Sequence, residues 1–185
     1  MCSSDLELLA LRWRDIDLDA GTVSIRRSAG VIRIKGQGAV TSEGPTKSGK
    51  PRVIDLDPAT VAVLRALRRE RGSMVLAYAR DGALVFGDHE GRLRHPERFS
   101  RMFAGTLTRC AKALGEDAPP AIRLHDLRHT HATLMLQCGE QVKVVSERLG
   151  HASVTVTLSV YAHVLPGDQR AAAARFAALI GEAKA

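Results

Sequence analysis

Aromatic residues are scarce in this chain: one Trp, two Tyr and four Phe among 185 residues. So few rings argue against a stacking platform for single-stranded nucleic acid. Cysteine is rarer still, with only Cys2, Cys110 and Cys138. Their odd number, wide separation and lack of a CxxC pair exclude a disulfide framework or zinc knuckle, and a reducing cytoplasm is the expected location. No apolar run approaches membrane-spanning length, and the N-terminus lacks the basic-then-apolar layout of a signal peptide. Acidic residues are in deficit, 20 against 27 Lys plus Arg, a net charge of +7. That balance favours a polyanionic partner, nucleic acid before membrane. No internal repeat or low-complexity tract stands out.

What is present reads as one domain with a real core. Glu7 to Trp13 is helical and apolar. Thr22–Arg26, Val31–Lys35 and Arg52–Leu56 are strand candidates, predicted to make a small three-stranded antiparallel sheet. Residues 36–51 are rich in Gly, Pro, Thr, Ser and Lys and read as an exposed loop with a basic tip at Thr46–Lys50. Asp57-Pro58 is an N-cap followed by Pro at the first helical position, and Val61, Leu64 and Leu67 carry that helix toward Gly72. Leu84-Val85-Phe86 is a further short strand candidate. Helical spacing resumes from Pro96 to Leu114. Val142, Val145 and Leu149 mark a short helix ended by Gly150. Ser153 to Val160 alternates as a strand would. An alanine-rich helix begins at Pro166-Gly167-Asp168, with Ala172, Phe176, Leu179 and Ile180 on one face.

The chemistry concentrates at Arg123-Leu124-His125-Asp126-Leu127-Arg128-His129-Thr130. On a helix His125 and Arg128 are neighbours at i, i+3 and reach toward one point. Leu127, Thr130, Leu134 and Cys138 fall opposite, a predicted face to bury. Lys47, Leu149-Gly150-His151 and Tyr161 complete an ordered set. Metal-free phosphodiester cleavage requires such groups: a hydroxyl nucleophile able to hold a DNA end, cations on the non-bridging oxygens, and an acid for the leaving 5′ oxygen. His129, His131 and Cys138 have no standard zinc spacing, and no carboxylate cluster suits magnesium.

Leu8 to Asp17, Thr46-Lys47-Ser48, Arg123 to Leu134, Ser146 to His151 and Tyr161-x-His163-Val164-Leu165-Pro166 together resemble the tyrosine recombinase family of the phage integrase type. The resemblance spans nearly the whole chain from about residue 7 and is specific in order and spacing. It implies an α+β catalytic domain of the DNA breaking-rejoining type, mainly helical around a small sheet, and a helix rather than a strand at Ser153–Val160. It implies Tyr161 as nucleophile of a 3′-phosphotyrosyl link, Arg128 and His151 on the scissile phosphate, Lys47 as acid for the 5′ hydroxyl and His125 assisting proton transfer. It implies double-stranded DNA as substrate, self-assembly on it as a tetramer, and no cofactor or metal, because the covalent link conserves the phosphodiester's energy. Glu7 would pair with a cation near the site, a partner expected to be missing here.

One departure stands out. The family carries a first catalytic arginine three residues before this Glu, where Ser4 stands. Residues 1–6 match no part of the pattern and resemble an adapter sequence read in frame. The expectation is that 1–6 are foreign, that 7–185 are the catalytic domain without its upstream core-binding domain, and that catalysis is impaired. Two alternatives stay open. A non-catalytic helix-turn-helix module would use Val142–Gly150 and the segment after it. A type IB topoisomerase would share the chemistry without a target sequence.

Overall fold

The computed structural model describes residues 3–36, 38–47, 49–164 and 169–182. Helix α1 (Ser3–Leu9) and a 3-10 turn (Trp13–Asp15) precede strands β1 (Ile16–Asp17), β2 (Thr22–Ile25), β3 (Arg27–Ile34), β4 (Gly38–Pro45) and β5 (Arg52–Asp55). Helices α2 (Pro58–Met74), α3 (Pro96–Leu114), α4 (Asp126–Gln137), α5 (Val142–Leu149), α6 (Val154–Tyr161) and α7 (Gln169–Glu182) follow. The class is α+β and mainly helical, as expected.

The three-stranded antiparallel sheet is present with different membership. Its order is β1–β2–β5, with Ile16 opposite Val23 and Val23 opposite Ile54. The segment at 31–35 is instead the end of β3, which pairs along its full length with β4 in a separate hairpin. Reading 36–51 as a loop is thus corrected for 38–45. Its Gly, Glu and Pro have weak strand preference alone, but β3 supplies a complete hydrogen-bonding partner. Gly36 and Gly38 take φ of +85° and +77°, which lets the chain reverse there. Leu84-Val85-Phe86 is reduced to one bridge between Leu84 and Arg12.

The helices follow their start and stop signals closely. Asp57 accepts a hydrogen bond from the Thr60 amide at 2.9 Å, with Pro58 opening α2. Gly150 ends α5 in the left-handed conformation, φ +71°. The segment from Val154 is a helix despite its alternation. As a helix it buries Thr157 and Tyr161, one turn apart, with Tyr161 against Val145 and Leu149 of α5, and leaves Val154, Val156, Leu158 and Val160, the apolar half of the alternation, exposed. Leu165 to Asp168 lie outside the described residues, so the expected helix start there does too. Of the face expected on α7, Phe176, Leu179 and Ile180 are exposed.

Among the described residues the core has three parts. Leu11, Trp13, Ile16, Val23 and Val85 join the sheet to α2. Leu9, Ala10 and Ala29 tie α1 to the hairpin, with Phe99 of α3 against them. Ala132, Leu136, Val145, Leu149 and Tyr161 form the third, between α4, α5 and α6. This third part reverses the face predicted for α4. Leu127, Leu134 and Cys138 are exposed, whereas Ala132 and Leu136 are buried and His125, Arg128 and His129 half-buried beside them. The imidazoles and the guanidinium lie inward because their partners, on α5 and α6, are there.

Candidate active site

Helix α4 delivers three functional side chains within one turn. His125 precedes its first residue, Arg128 follows at i+3 and His129 at i+4. The helix start is organised by Asp126, which accepts from the Arg123 amide at 2.8 Å and from the Arg123 guanidinium at 2.8 Å. Hydrogen bonds from Arg123 hold the Asp126 carboxyl down at about 2. Arg123 is thereby engaged in shaping the helix entry.

Arg128 Nη2 donates to the Leu149 carbonyl at 2.6 Å, at the end of α5. A guanidinium has five N–H donors in a rigid fork, so this bond fixes its direction while other N–H groups can meet an anion. His151 follows the left-handed Gly150, and its amide donates back to the Ser146 carbonyl. Its Nδ1 lies 2.8 Å from the hydroxyl of fully buried Thr157 on α6. That contact fixes the ring and leaves Nε2 as the nitrogen for a second partner.

Tyr161 ends α6 and is 3% exposed. Its hydroxyl lies 2.8 Å from His129 Nδ1. When Nδ1 is unprotonated the phenol donates to it. The His129 ring in turn meets the His125 ring edge-on, centroids 4.6 Å apart. The nucleophile candidate is therefore connected through His129 to His125, beside Arg128.

Electrostatics keep the flanking imidazoles neutral at pH 7. Burial, then the nearby His129 and Arg128, push His125 below its ordinary value near 6.5, against the opposing pull of Asp5 and Asp126. Burial, then Arg128, Arg52 and His129, push His151 the same way. Neutral imidazoles can accept a proton, which a proton-handling role requires. His125 Nδ1 is itself buried with no hydrogen-bond partner among the described residues.

Of the five residues singled out by sequence, His125, Arg128, His151 and Tyr161 converge on α4 and the ends of α5 and α6. Lys47 does not join them. It lies exposed in the turn between β4 and β5, with no hydrogen bond or ion pair to the other four among the described residues. Glu7 does pair with a cation, contrary to the expectation of a missing partner. It accepts from Arg52 Nη1 and Nη2 at 3.1 and 2.6 Å. His129 and Arg52 were not anticipated as site groups. The i, i+4 spacing from His125 signalled that His129 shares its face; its bond to Tyr161, 32 residues away, left no sequence signal. His131 accepts from Arg148 Nε at 3.1 Å. Among the described residues no group of three His, Cys, Asp or Glu is placed to hold a metal ion.

Comparison with known proteins bears on this arrangement. The model of the phage integrase family matches residues 6–167. A XerC-like tyrosine recombinase of Caldanaerobacter subterraneus is 29% identical over 86% of this chain and 42% of its own length. The tyrosine recombinase XerD of Halalkalibacterium halodurans is 32% identical over 92% of the chain and 48% of its own. The Tn1549 transposon integrase, solved with circular intermediate DNA, superposes with a TM-score of 0.68 at 23% identity, over 92% of this chain and 55% of that one. The catalytic domain of bacteriophage HP1 integrase gives 0.53 at 20% identity over 92% of this chain and 71% of that one. These two share the fold. The chain spans under half the length of the curated relatives it matches. The family match covers most of the sequence and contains each residue converging on α4 to α6, so the chain belongs to the phage integrase family of tyrosine recombinases.

Proposed function

We propose that this chain is the catalytic part of a site-specific recombinase that cuts and rejoins duplex DNA through Tyr161. The observation that carries the reading is the contact series Tyr161–His129–His125 beside Arg128, whose direction is set by the Leu149 carbonyl. The Tyr161 hydroxyl loses its proton toward the imidazoles and its oxygen bonds to the scissile phosphorus. The bond to the 5′ oxygen breaks, and that oxygen takes a proton from Lys47. Arg128 and His151 face the non-bridging oxygens, where charge accumulates; removing one such donor lowers the rate roughly 10²–10³-fold. Reversal with a different 5′ hydroxyl rejoins the strands. Burial of Tyr161 requires the end of α6 to shift before attack, so the bond to His129 stores the nucleophile until DNA is in place. Double-stranded DNA is the substrate, and assembly as a tetramer on it is part of the same proposal.

The non-catalytic helix-turn-helix reading is disfavoured by α6. A recognition helix presents polar or cationic side chains to base edges and phosphates. Here α6 has no Lys or Arg, and exposes Val154, Val156, Leu158 and Val160 instead.

The test is a library of nicked duplexes with randomised sequence around the nick, incubated with the chain and filtered for detergent-resistant protein–DNA adducts. Adducts enriched in one sequence and absent with Tyr161→Phe are expected, in low yield because Ser4 stands where the family carries its first catalytic arginine. Adducts of equal yield with Tyr161→Phe remove Tyr161 from the mechanism, and adducts without sequence enrichment indicate a topoisomerase.

A further inference from the structure

The end of α5 is gripped by two guanidinium groups, one from α4 and one from β5. Arg128 donates to the Leu149 carbonyl from α4. Arg52, at the start of β5, donates through Nε to the preceding carbonyl, that of Arg148, at 3.2 Å. The far side of the Arg52 fork is held by both oxygens of Glu7, and the pair is largely buried, with side chains 16% and 8% exposed. A carboxylate taking both ends of a guanidinium leaves it little freedom. Arg52 also lies directly over Gly150. A Cβ built at Gly150 would come within 2.6 Å of Arg52 Nη1 and 2.7 Å of Cζ. Gly150 is thus required twice, by its positive φ and by the guanidinium pressed against it.

We propose that Arg52 is a positioning residue of the site: anchored by Glu7, it holds the Arg148–His151 turn so that His151 and Arg128 face one phosphate group. This rests on the recombinase reading above. Neither Arg52 nor Glu7 needs to touch the reacting atoms. Arg52 acts through the Arg148 carbonyl and Gly150, which set the direction of His151. β5, α1 and α5 meet at this one side chain, so its loss loosens all three; β5 and α5 keep a further bond, from Arg148 Nη1 to the Asp55 carbonyl at 2.8 Å. Its charge also reaches His151, whose other charged or titratable neighbours are Arg128 and His129, both on α4.

The test uses the whole chain and inorganic phosphate as probe, read by NMR at the Arg128 Nε–H and at the His151 ring. In the wild type both signals are expected to follow one saturation curve. In Arg52→Gln the His151 response should weaken at least fivefold and separate from that of Arg128, and the His151 titration should move to higher pH because a neighbouring positive charge is gone. Arg52→Lys keeps the charge and so should keep the titration near wild type, yet fail to restore the shared phosphate response, since an ammonium cannot bridge Glu7 and the Arg148 carbonyl at once. Glu7→Gln, which leaves Arg52 in place without its anchor, should weaken the His151 response likewise; it carries the test should Arg52→Gln not fold. Full recovery in Arg52→Lys, or an unchanged shared response in Arg52→Gln or Glu7→Gln, would overturn the proposal. A wild type in which Arg128 and His151 ignore phosphate, while Arg52→Gln still moves the His151 titration, overturns the phosphate reading and leaves the grip on the turn standing.

Discussion

His129 Nδ1 and the Tyr161 hydroxyl, 32 residues apart in the chain, lie 2.8 Å from one another inside the junction of α4, α5 and α6. The proposed nucleophile is therefore held in the core, with its polar end on an imidazole. This contact predicts a measurable coupling. His129→Phe and Tyr161→Phe, compared singly and together by urea unfolding, should show a coupling of about 0.5–1.5 kcal/mol, the usual net worth of such a bond. Strict additivity of the two changes would show that the contact contributes nothing.

Stability should fall on mild acidification. His125, His131 and His151 are all pushed below the ordinary value near 6.5, each mainly by burial. The unfolded chain then binds more protons than the folded one once pH drops under about 7. The stabilisation present above 6.5 is lost as pH falls through the folded values, and the curve levels below them. Melting temperatures by circular dichroism between pH 7.5 and 5 should decline, and His131→Gln should flatten the slope. A melting temperature independent of pH over this range would contradict the assigned directions.

Thr157 is fully buried with its hydroxyl on His151 Nδ1. Thr157→Val keeps the branched shape and removes the partner, so it should destabilise by about 1 kcal/mol. The tautomer of His151, now unfixed, should become mixed in ring ¹⁵N shifts. Thr157→Ser should preserve a single tautomer while losing some packing. Identical ring shifts in both variants would mean that Thr157 does not orient the imidazole.

Trp13 is the largest fully buried side chain, and its Nε1 donates to the Tyr78 carbonyl at 2.9 Å. Trp13→Ala should cost about 3–5 kcal/mol, enough to unfold much of a marginally stable domain. Trp13→Phe should cost less but still leave the Tyr78 carbonyl without that donor. Denaturant midpoints measure both; a loss below about 1 kcal/mol for Trp13→Ala would show that the core around the sheet is not built on it.

Helix positions were legible in the sequence wherever chemistry is local. Asp57-Pro58 before α2, Gly150 after α5 and the apolar spacing of 96–114 each act within a turn or two, and the helices end where those residues say. The ordered boxes around His125, Arg128, His151 and Tyr161 were equally legible, because spacing along the chain carries them. At 154–161 local alternation pointed to a strand, and burial of Thr157 with Tyr161 overruled it.

By itself, then, the sequence determined the helical segments other than 154–161, the net basic charge and the order of the chemical groups. Only the tertiary structure decided which strand pairs with which, placing Ile16–Asp17 in the sheet and giving β3 to β4. It also decided that α4 buries Ala132 and Leu136 rather than Leu127 and Leu134. The bonds of His129 to Tyr161 and of Arg52 to Glu7 and Arg148 belong to the same class. The physical reason is common to all of them: each joins one segment to another across a turn or across the fold, and no local preference in the chain distinguishes the partner chosen from the others available.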